Sequence, residues 1–375
     1  MPVYVEELIK AFESWAPLRL AESWDNVGLQ VGSPRKEVEH IALALDLTPV
    51  VCRKIIDLKA DCLITHHPFI FKPIKRLNWD HWQHNILREL IQHDVALLSL
   101  HTNLDSARNG VTEALAEALD LKLERALQAS PGAKCFKLVT YLPKGEEEKL
   151  RELLLESEAG VIGPYRGCSF VTEGQGSFFP EDQARPHVGE RGRLNLVPEV
   201  RMEFLIPAFE VPSFLARLRE LHPYETVPVD LYPVEGEDLR FGLGRIGELP
   251  LACTVEDLAQ RLSSLLKTPS VFVVGEPHKT VKRVALCAGA GGDLLQKAYS
   301  LGAEVYITAE VKYHQAREAE ALGLPLVVLG HFESERIIVP KMAEFLKRWQ
   351  EQHPCELRIT ILEEESPFRL VGKPE

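Results

Sequence analysis

The chain has 375 residues, 45% of them hydrophobic and 26% charged, and a net charge of −12 at pH 7. That length favours two domains over one and leaves ample chain for a sizeable core. The acidic balance argues against broad binding to a phosphate backbone, and the strand-sized apolar runs exclude a helix that spans a bilayer.

The N-terminal stretch MPVYVEELIKAFESW reads as an amphipathic helix with acids early in it. No basic segment followed by an apolar one precedes the fold, so the expectation is a cytoplasmic protein without a signal peptide. Seven cysteines, at 52, 62, 135, 168, 253, 287 and 355, form no C-x-x-C pair, which suits a reducing compartment. From His40 the pattern is strand, helix, strand: HIALALDLT, PVVCRKIIDLKA and DCLITHH. A helical stretch, HWQHNILRELIQHD, and a further apolar run, VALLSLHTNLD, follow. Such alternation predicts βαβ units in a mostly parallel sheet, and strands buried on both faces lose their polar alternation, as IALAL and VALLSL do.

The texture changes between residues 129 and 247. CFKLVTYLP leads into the helical GEEEKLRELLLESE and a Gly-rich stretch; then VRMEFLIPA, EVPSFLARLRELHP and VPVDLYPVE repeat strand, helix, strand. This predicts a ferredoxin-like α+β domain inserted in a loop of the larger one. The first pattern then returns as KRVALCAGAGGDLLQKAYSLG, AEVYITAEVKYHQAREAEALG, LPLVVLGHFESE and a long helix. IALALD (41–46) matches VALCAG (284–289) without a gap, and at the same offset Thr65 falls on Thr308. The expected fold is therefore α/β, a duplicated and mostly parallel domain built from 1–128 and 248–375, interrupted by the 129–247 insert.

Ligands of open parallel sheets bind beyond the carboxyl ends of the strands. DCLIT is followed by His66 and His67, VALLSL by His101 and Asp105, VVLG by His331 and Glu335, and EVYIT by Glu310 and His314. A single histidine at a strand end is more often a hydrogen-bonded core residue than a ligand. Histidines and carboxylates at several neighbouring strand ends favour a dinuclear His/carboxylate metal site. Each His-x-x-x-acid pair shares one face if its residues coil. Adjacent residues of a regular strand face opposite sides, so His66 and His67 are expected to serve two metals, one each. A carboxylate such as Asp105 or Glu335 can bridge two ions about 3.5–4 Å apart. The turn CAGAGGD lacks the Lys-Ser/Thr of a P-loop, and tight strand-to-helix packing explains it as well as a phosphate does.

SWDNVGLQVG (23–32), ITHHPFIF (64–71), HTNLDSA (101–107), CAGAGG (287–292), ITAEVKYH (307–314) and GHFESE (330–335) together resemble one family. It is the dinuclear-metal-centre, hexamer-forming family of GTP cyclohydrolase I type 2 homologues, and the central segment resembles the PII-like or CutA-like insert of its longer bacterial members. The resemblance implies two divalent ions per subunit (zinc, manganese or iron) held by His66, His67, Asp105, His331 and Glu335. It leaves His101 beside the metals as a partner of the ligands or a general acid/base, and Glu310 in the pocket. It implies a homohexamer and hydrolytic opening of a purine-nucleotide ring. Ala309 stands where that pattern has glycine. A non-catalytic metal-binding or regulatory ring, with the insert as sensor or lid, is the rival reading. A ring that threads nucleic acid is a third, disfavoured by the net charge.

Overall fold

The central strands of the larger unit are buried on both faces, which is why the sequence shows them as unbroken apolar runs. The computed structural model describes residues 2–268 and 271–371. In the first sheet Arg358–Ile361, His40–Ala44, Cys62–Thr65 and Ala96–Ser99 run parallel in that order, and Gly28–Val31 closes the edge antiparallel. Every residue of His40–Ala44, Cys62–Thr65 and Ala96–Ser99 is buried. The crossover helix Pro49–Asp57 starts where Thr48 Oγ1 accepts the Val51 N–H at 3.2 Å, with proline at its first position. Its apolar face, Val51, Cys52 and Ile55, joins Leu63, Leu97 and Leu90 of the next helix, Trp82–Gln92, in one core cluster.

The second sheet has the same parallel centre, Thr280–Leu286, Val305–Thr308 and Leu326–Val328. Antiparallel strands flank it: Arg245–Thr254 and then Lys122–Arg125 on one side, Phe272–Val274 on the other. The duplication read from the sequence extends to register. Ile41 pairs with Cys62, and Val284 with Val305, the same displacement along the chain at both partners. Among the described residues no helix is long and apolar enough to cross a membrane.

Contacts divide the chain into Met1–Pro131 with Leu239–Glu375, and Gly132–Asp238. The smaller unit runs Lys134–Pro143, Glu148–Leu155, Phe170–Phe178, Asn195–Pro207, Val211–Leu221 and Val229–Glu237 as strand, helix, strand, strand, helix, strand. Its sheet is antiparallel with its strands in the spatial order second, third, first, fourth, the ferredoxin-like arrangement. Leu150, Leu153, Leu154, Phe214 and Leu218 of the two helices pack on Leu138, Met202 and Phe204.

Residues 239–247, which the sequence reading assigned to the insert, lie in the larger unit. Gly242–Leu243 pairs with Gln128–Ala129, and Arg245 opens a strand of the second sheet. Arg245 is only 2% exposed; its guanidinium donates to Glu113 Oε1 at 2.7 Å and to the carbonyls of Gly244 and Ala107 at 2.8 and 3.0 Å. A buried arginine needs such a full set of acceptors, and here it binds the end of the Thr102–Ser106 turn to the chain returning from the insert.

The Ser130 N–H donates to the Phe241 carbonyl, so the ends of the insertion already meet within the larger unit. Replacing 132–238 with a short Gly/Ser linker is therefore expected to leave a folded protein with the same metal uptake as the full chain, because closing a loop whose ends are adjacent costs little. Circular dichroism melting and metal analysis of the shortened chain check this; unfolding or metal loss rejects the partition.

Candidate metal centre

Four imidazoles and two carboxylates converge at the carboxyl ends of the parallel strands. His66 and His67 follow Cys62–Thr65, His101 follows Ala96–Ser99, and His331 follows Leu326–Val328. His101 caps the helical turn Thr102–Ser106, in which Asp105 lies, while His331 and Glu335 are the two ends of another, so each pair shares a helix face as the spacing predicts.

The adjacent histidines do not diverge as residues of a regular strand would. The strand ends at Thr65, whose hydroxyl donates to the His67 carbonyl at 2.9 Å and bends the chain there. The two rings then lie 4.9 Å apart in one cluster, which corrects the expectation that they face opposite sides. Nitrogens of His66, His67 and His101 form one group, and His67, His331 and Glu335 form another, with donor atoms in each within 4.8 Å of one another. His67 belongs to both.

The same device orients every ring. His66 Nδ1 donates to the Leu100 carbonyl at 2.7 Å, His67 Nδ1 to Asp46 Oδ1 at 2.9 Å, His101 Nδ1 to Asp25 Oδ1 at 2.9 Å, and His331 Nδ1 to Glu310 Oε1 at 2.7 Å. A carbonyl or carboxylate can only accept, so the proton sits on Nδ1 and the Nε2 lone pair is left for an electrophile. Histidines that ligate metals are held this way, with a carboxylate or carbonyl behind the ring.

The Nε2 atoms gather around the Glu335 carboxylate, which is only 4% exposed. Glu335 Oε2 is 2.9 Å from His67 Nε2, 3.0 Å from His331 Nε2 and 3.9 Å from His66 Nε2, while Asp105 Oδ1 is 3.6 Å from His66 Nε2. Glu335 Oε2 and His66 Nε2 nevertheless have no aligned hydrogen-bond partner. Buried polar atoms are rarely left so, and lone pairs that face one another at such distances call for a cation between them. The residues present fit one or two divalent ions.

The electrostatics point the same way. Burial disfavours charge on His67, yet Asp46 and Glu335 outweigh it and push the imidazole up to about 10. His331 is likewise buried, and Glu335 and Glu310 raise it to about 9. The cluster thus draws positive charge onto its imidazoles when nothing else supplies it. His66, buried and beside two other imidazoles, is pushed down to about 3 despite the Glu335 charge. Burial raises Asp105 to about 7, whereas the surrounding histidines overcome burial at Glu335 and hold it well below the usual carboxylate range. Asp25 is held at about 2: its bonds from His101 and Thr102 exceed the cost of its burial.

The Gly-rich turn makes room for this carboxylate. Gly289 has φ +64°, and a Cβ there would lie 1.9 Å from Glu335 Oε1. Its N–H donates to Ser334 Oγ, and its carbonyl accepts the Ala309 N–H, so Ala309 fits the loop without displacing it. His314 stays apart, exposed on the helix Tyr313–Leu322.

Sequence reasoning missed Asp46 and Asp25. Asp46 follows the strand His40–Ala44, so the strand-end rule reaches it directly. Glu364 fixes it from the C-terminal segment by accepting the backbone N–H groups of Leu45 and Asp46 at 2.5 and 3.0 Å. Asp25 lies inside SWDNVGLQVG, and only the fold brings it under His101.

With this geometry in place, three comparisons bear on it. Residues 3–367 match the family described as Duf34/NIF3 (NGG1p interacting factor 3). The chain is similar to the GTP cyclohydrolase 1 type 2 homolog of Bacillus subtilis (strain 168), with 37% identity over 89% of each chain. Among solved structures it resembles the Bacillus cereus protein related to NIF3, at TM-score 0.85 and 34% identity over 98% of this chain and 99% of that one. It also resembles the Staphylococcus aureus protein SA1388, at TM-score 0.72 and 30% identity over 99% of both. On the family match and on identity of this extent, the chain belongs to the Duf34/NIF3 family.

Proposed function

We propose that this chain is a divalent-metal-dependent hydrolase that opens a purine-nucleotide ring, with two ions held by His66, His67, Asp105, His331 and Glu335. The observation that carries the reading is the set of Nε2 atoms turned toward a buried carboxylate, each with its Nδ1–H tied to an oxygen behind it. The purine nucleotide comes from the name borne by the curated relatives. Two divalent ions in such a site lower the pKa of water and bring a nucleophile within reach of neutral pH.

The chain's own residues divide the remaining work. Glu335, whose Oε2 lies 2.9, 3.0 and 3.9 Å from Nε2 of His67, His331 and His66, would supply the buried negative charge that holds the ions. Asp46 and Glu310 keep His67 and His331 in the tautomer that ligates. His101, held through Nδ1 by an ionised Asp25, turns Nε2 toward the same space and moves a proton to or from the reacting atoms. Imidazole and carboxylate donors without a thiolate suit zinc, manganese and iron alike.

Metal-loaded protein is expected to turn over GTP, and His67→Ala to lose the activity together with metal. Tight metal uptake without turnover of any member of a nucleotide panel rejects the hydrolase and leaves a metal-binding regulator.

The division of roles has its own check. His331→Ala is expected to lose at least one ion, while His101→Ala keeps nearly full metal content with impaired turnover. Equal metal loss in the two variants makes His101 a ligand.

Metal uptake depends on pH in a defined direction. With His67 at about 10 and His331 at about 9, both carry a second proton at pH 7.5 in the metal-free protein. Ligation through Nε2 must displace them, so loading releases about two protons and tightens as pH rises from 6 to 9. Calorimetric titration in buffers of different ionisation enthalpy measures the protons released; a value near zero contradicts the assignment.

A further inference from the structure

Two exposed aromatic rings border the cluster. Trp24 and Phe71 are 57% and 45% exposed, and their rings lie 5.8 Å apart with planes tilted by 56°. Rings so tilted do not cover each other's faces. Each also approaches the His101 ring, at 6.1 and 6.5 Å, and His101 lies 5.3 Å from His66.

These side chains are exposed, yet the backbone that carries them is fixed. The Glu22 N–H donates to Thr102 Oγ1, and Asp25 binds both His101 and Thr102. Asn26 donates to the Ile70 carbonyl, and Gln30 accepts the Ile70 N–H at 2.9 Å, so the loop of Trp24 is tied to the loop of Phe71. Solvent-facing aromatics on a rigid frame beside a reactive centre are pre-organised for a ligand, which then binds without the cost of ordering them. The chain beyond Phe71 adds charge. Lys72, Lys75 and Arg76 are exposed and make no hydrogen bond or ion pair within the described residues, in a protein of net charge −12. A run of exposed cations that follows Phe71 in the chain complements a flat ring that bears phosphates.

We infer that Trp24 and Phe71 form the wall on which a planar heteroaromatic ring stacks, that Lys72, Lys75 and Arg76 meet its phosphates, and that the ligand is a purine mononucleotide. The inference deepens the functional reading above and rests on it for the site, but it makes a separate claim about binding.

Titration of the full-length, zinc-loaded protein with GTP, followed by tryptophan fluorescence, tests it. Stacking on Trp24 quenches emission. Trp24→Leu is expected to remove most of the quench and weaken GTP binding about tenfold, whereas Trp24→Phe retains most of the affinity. Guanosine binds more weakly than GTP, and replacing Lys72, Lys75 and Arg76 by alanine closes that gap. Metal content serves as the control and stays constant in all these variants.

Unchanged GTP affinity in Trp24→Leu overturns the proposal, as does absence of GTP binding to the wild type. If Trp24→Leu alters only sedimentation, the aromatic pair packs against a second copy of the chain, and the inference is wrong. If a single-stranded oligonucleotide binds more tightly than GTP and depends on the same residues, the mononucleotide is wrong. GTP bound through Trp24 without turnover refutes the hydrolase and leaves this inference standing. Turnover with an unchanged KM in Trp24→Leu does the reverse.

Discussion

A carboxylate buried among imidazoles is the constraint on which this architecture turns. Glu335 is almost inaccessible to solvent, and its Oε2 lies within 3.0 Å of two histidine nitrogens. Desolvating a carboxylate costs several kcal/mol unless opposite charge meets it. Protons on His67 and His331 supply that charge, since Asp46, Glu310 and Glu335 raise both imidazoles despite their burial. Much else follows from keeping the geometry. Gly289 leaves room for the carboxylate, Asp46 and Glu310 hold the rings, and Glu364 holds the backbone of Asp46.

The duplicated halves contribute unequally to this centre. His101–Asp105 and His331–Glu335 follow corresponding strands and span similar helical turns, yet their acids meet opposite fates. Three imidazole nitrogens lie within 4 Å of Glu335 and hold its pKa down. Asp105 has one, at 3.6 Å, and burial pushes it up to about 7. The first half supplies an extra pair of histidines after its middle strand, where the second half has Ala309 and Glu310. Divergence of two copies has produced one composite site in place of two equal ones.

Hydrogen bonds behind the rings also tie an exposed aromatic side chain and His101 to one short loop. Asp25 anchors His101 while its neighbour Trp24 stands in solvent beside it. The hydrogen bonds that orient the histidine thereby fix the indole. A change at residues 22–26 therefore shifts the His101 ring and the indole together.

The sequence alone carried the periodicity of the strands and helices, the break in texture around the insert, and the histidines and acids that follow the strand ends. These are local properties: burial on both faces of a strand requires an unbroken apolar run, and an i, i+4 pair shares a helix face wherever it occurs. It did not carry the partners of those residues. That Asp46 stands behind His67, that Asp25 stands behind His101, and that His66 and His67 converge depend on contacts across 21 and 76 positions and on the bend after Thr65. The insert boundary moved for the same reason, since pairing of Gly242–Leu243 with Gln128–Ala129 joins segments remote in the chain. Tertiary structure decided which side chains share a low-dielectric space, and so decided their protonation, because pKa values follow from burial and neighbouring charge and not from order along the chain.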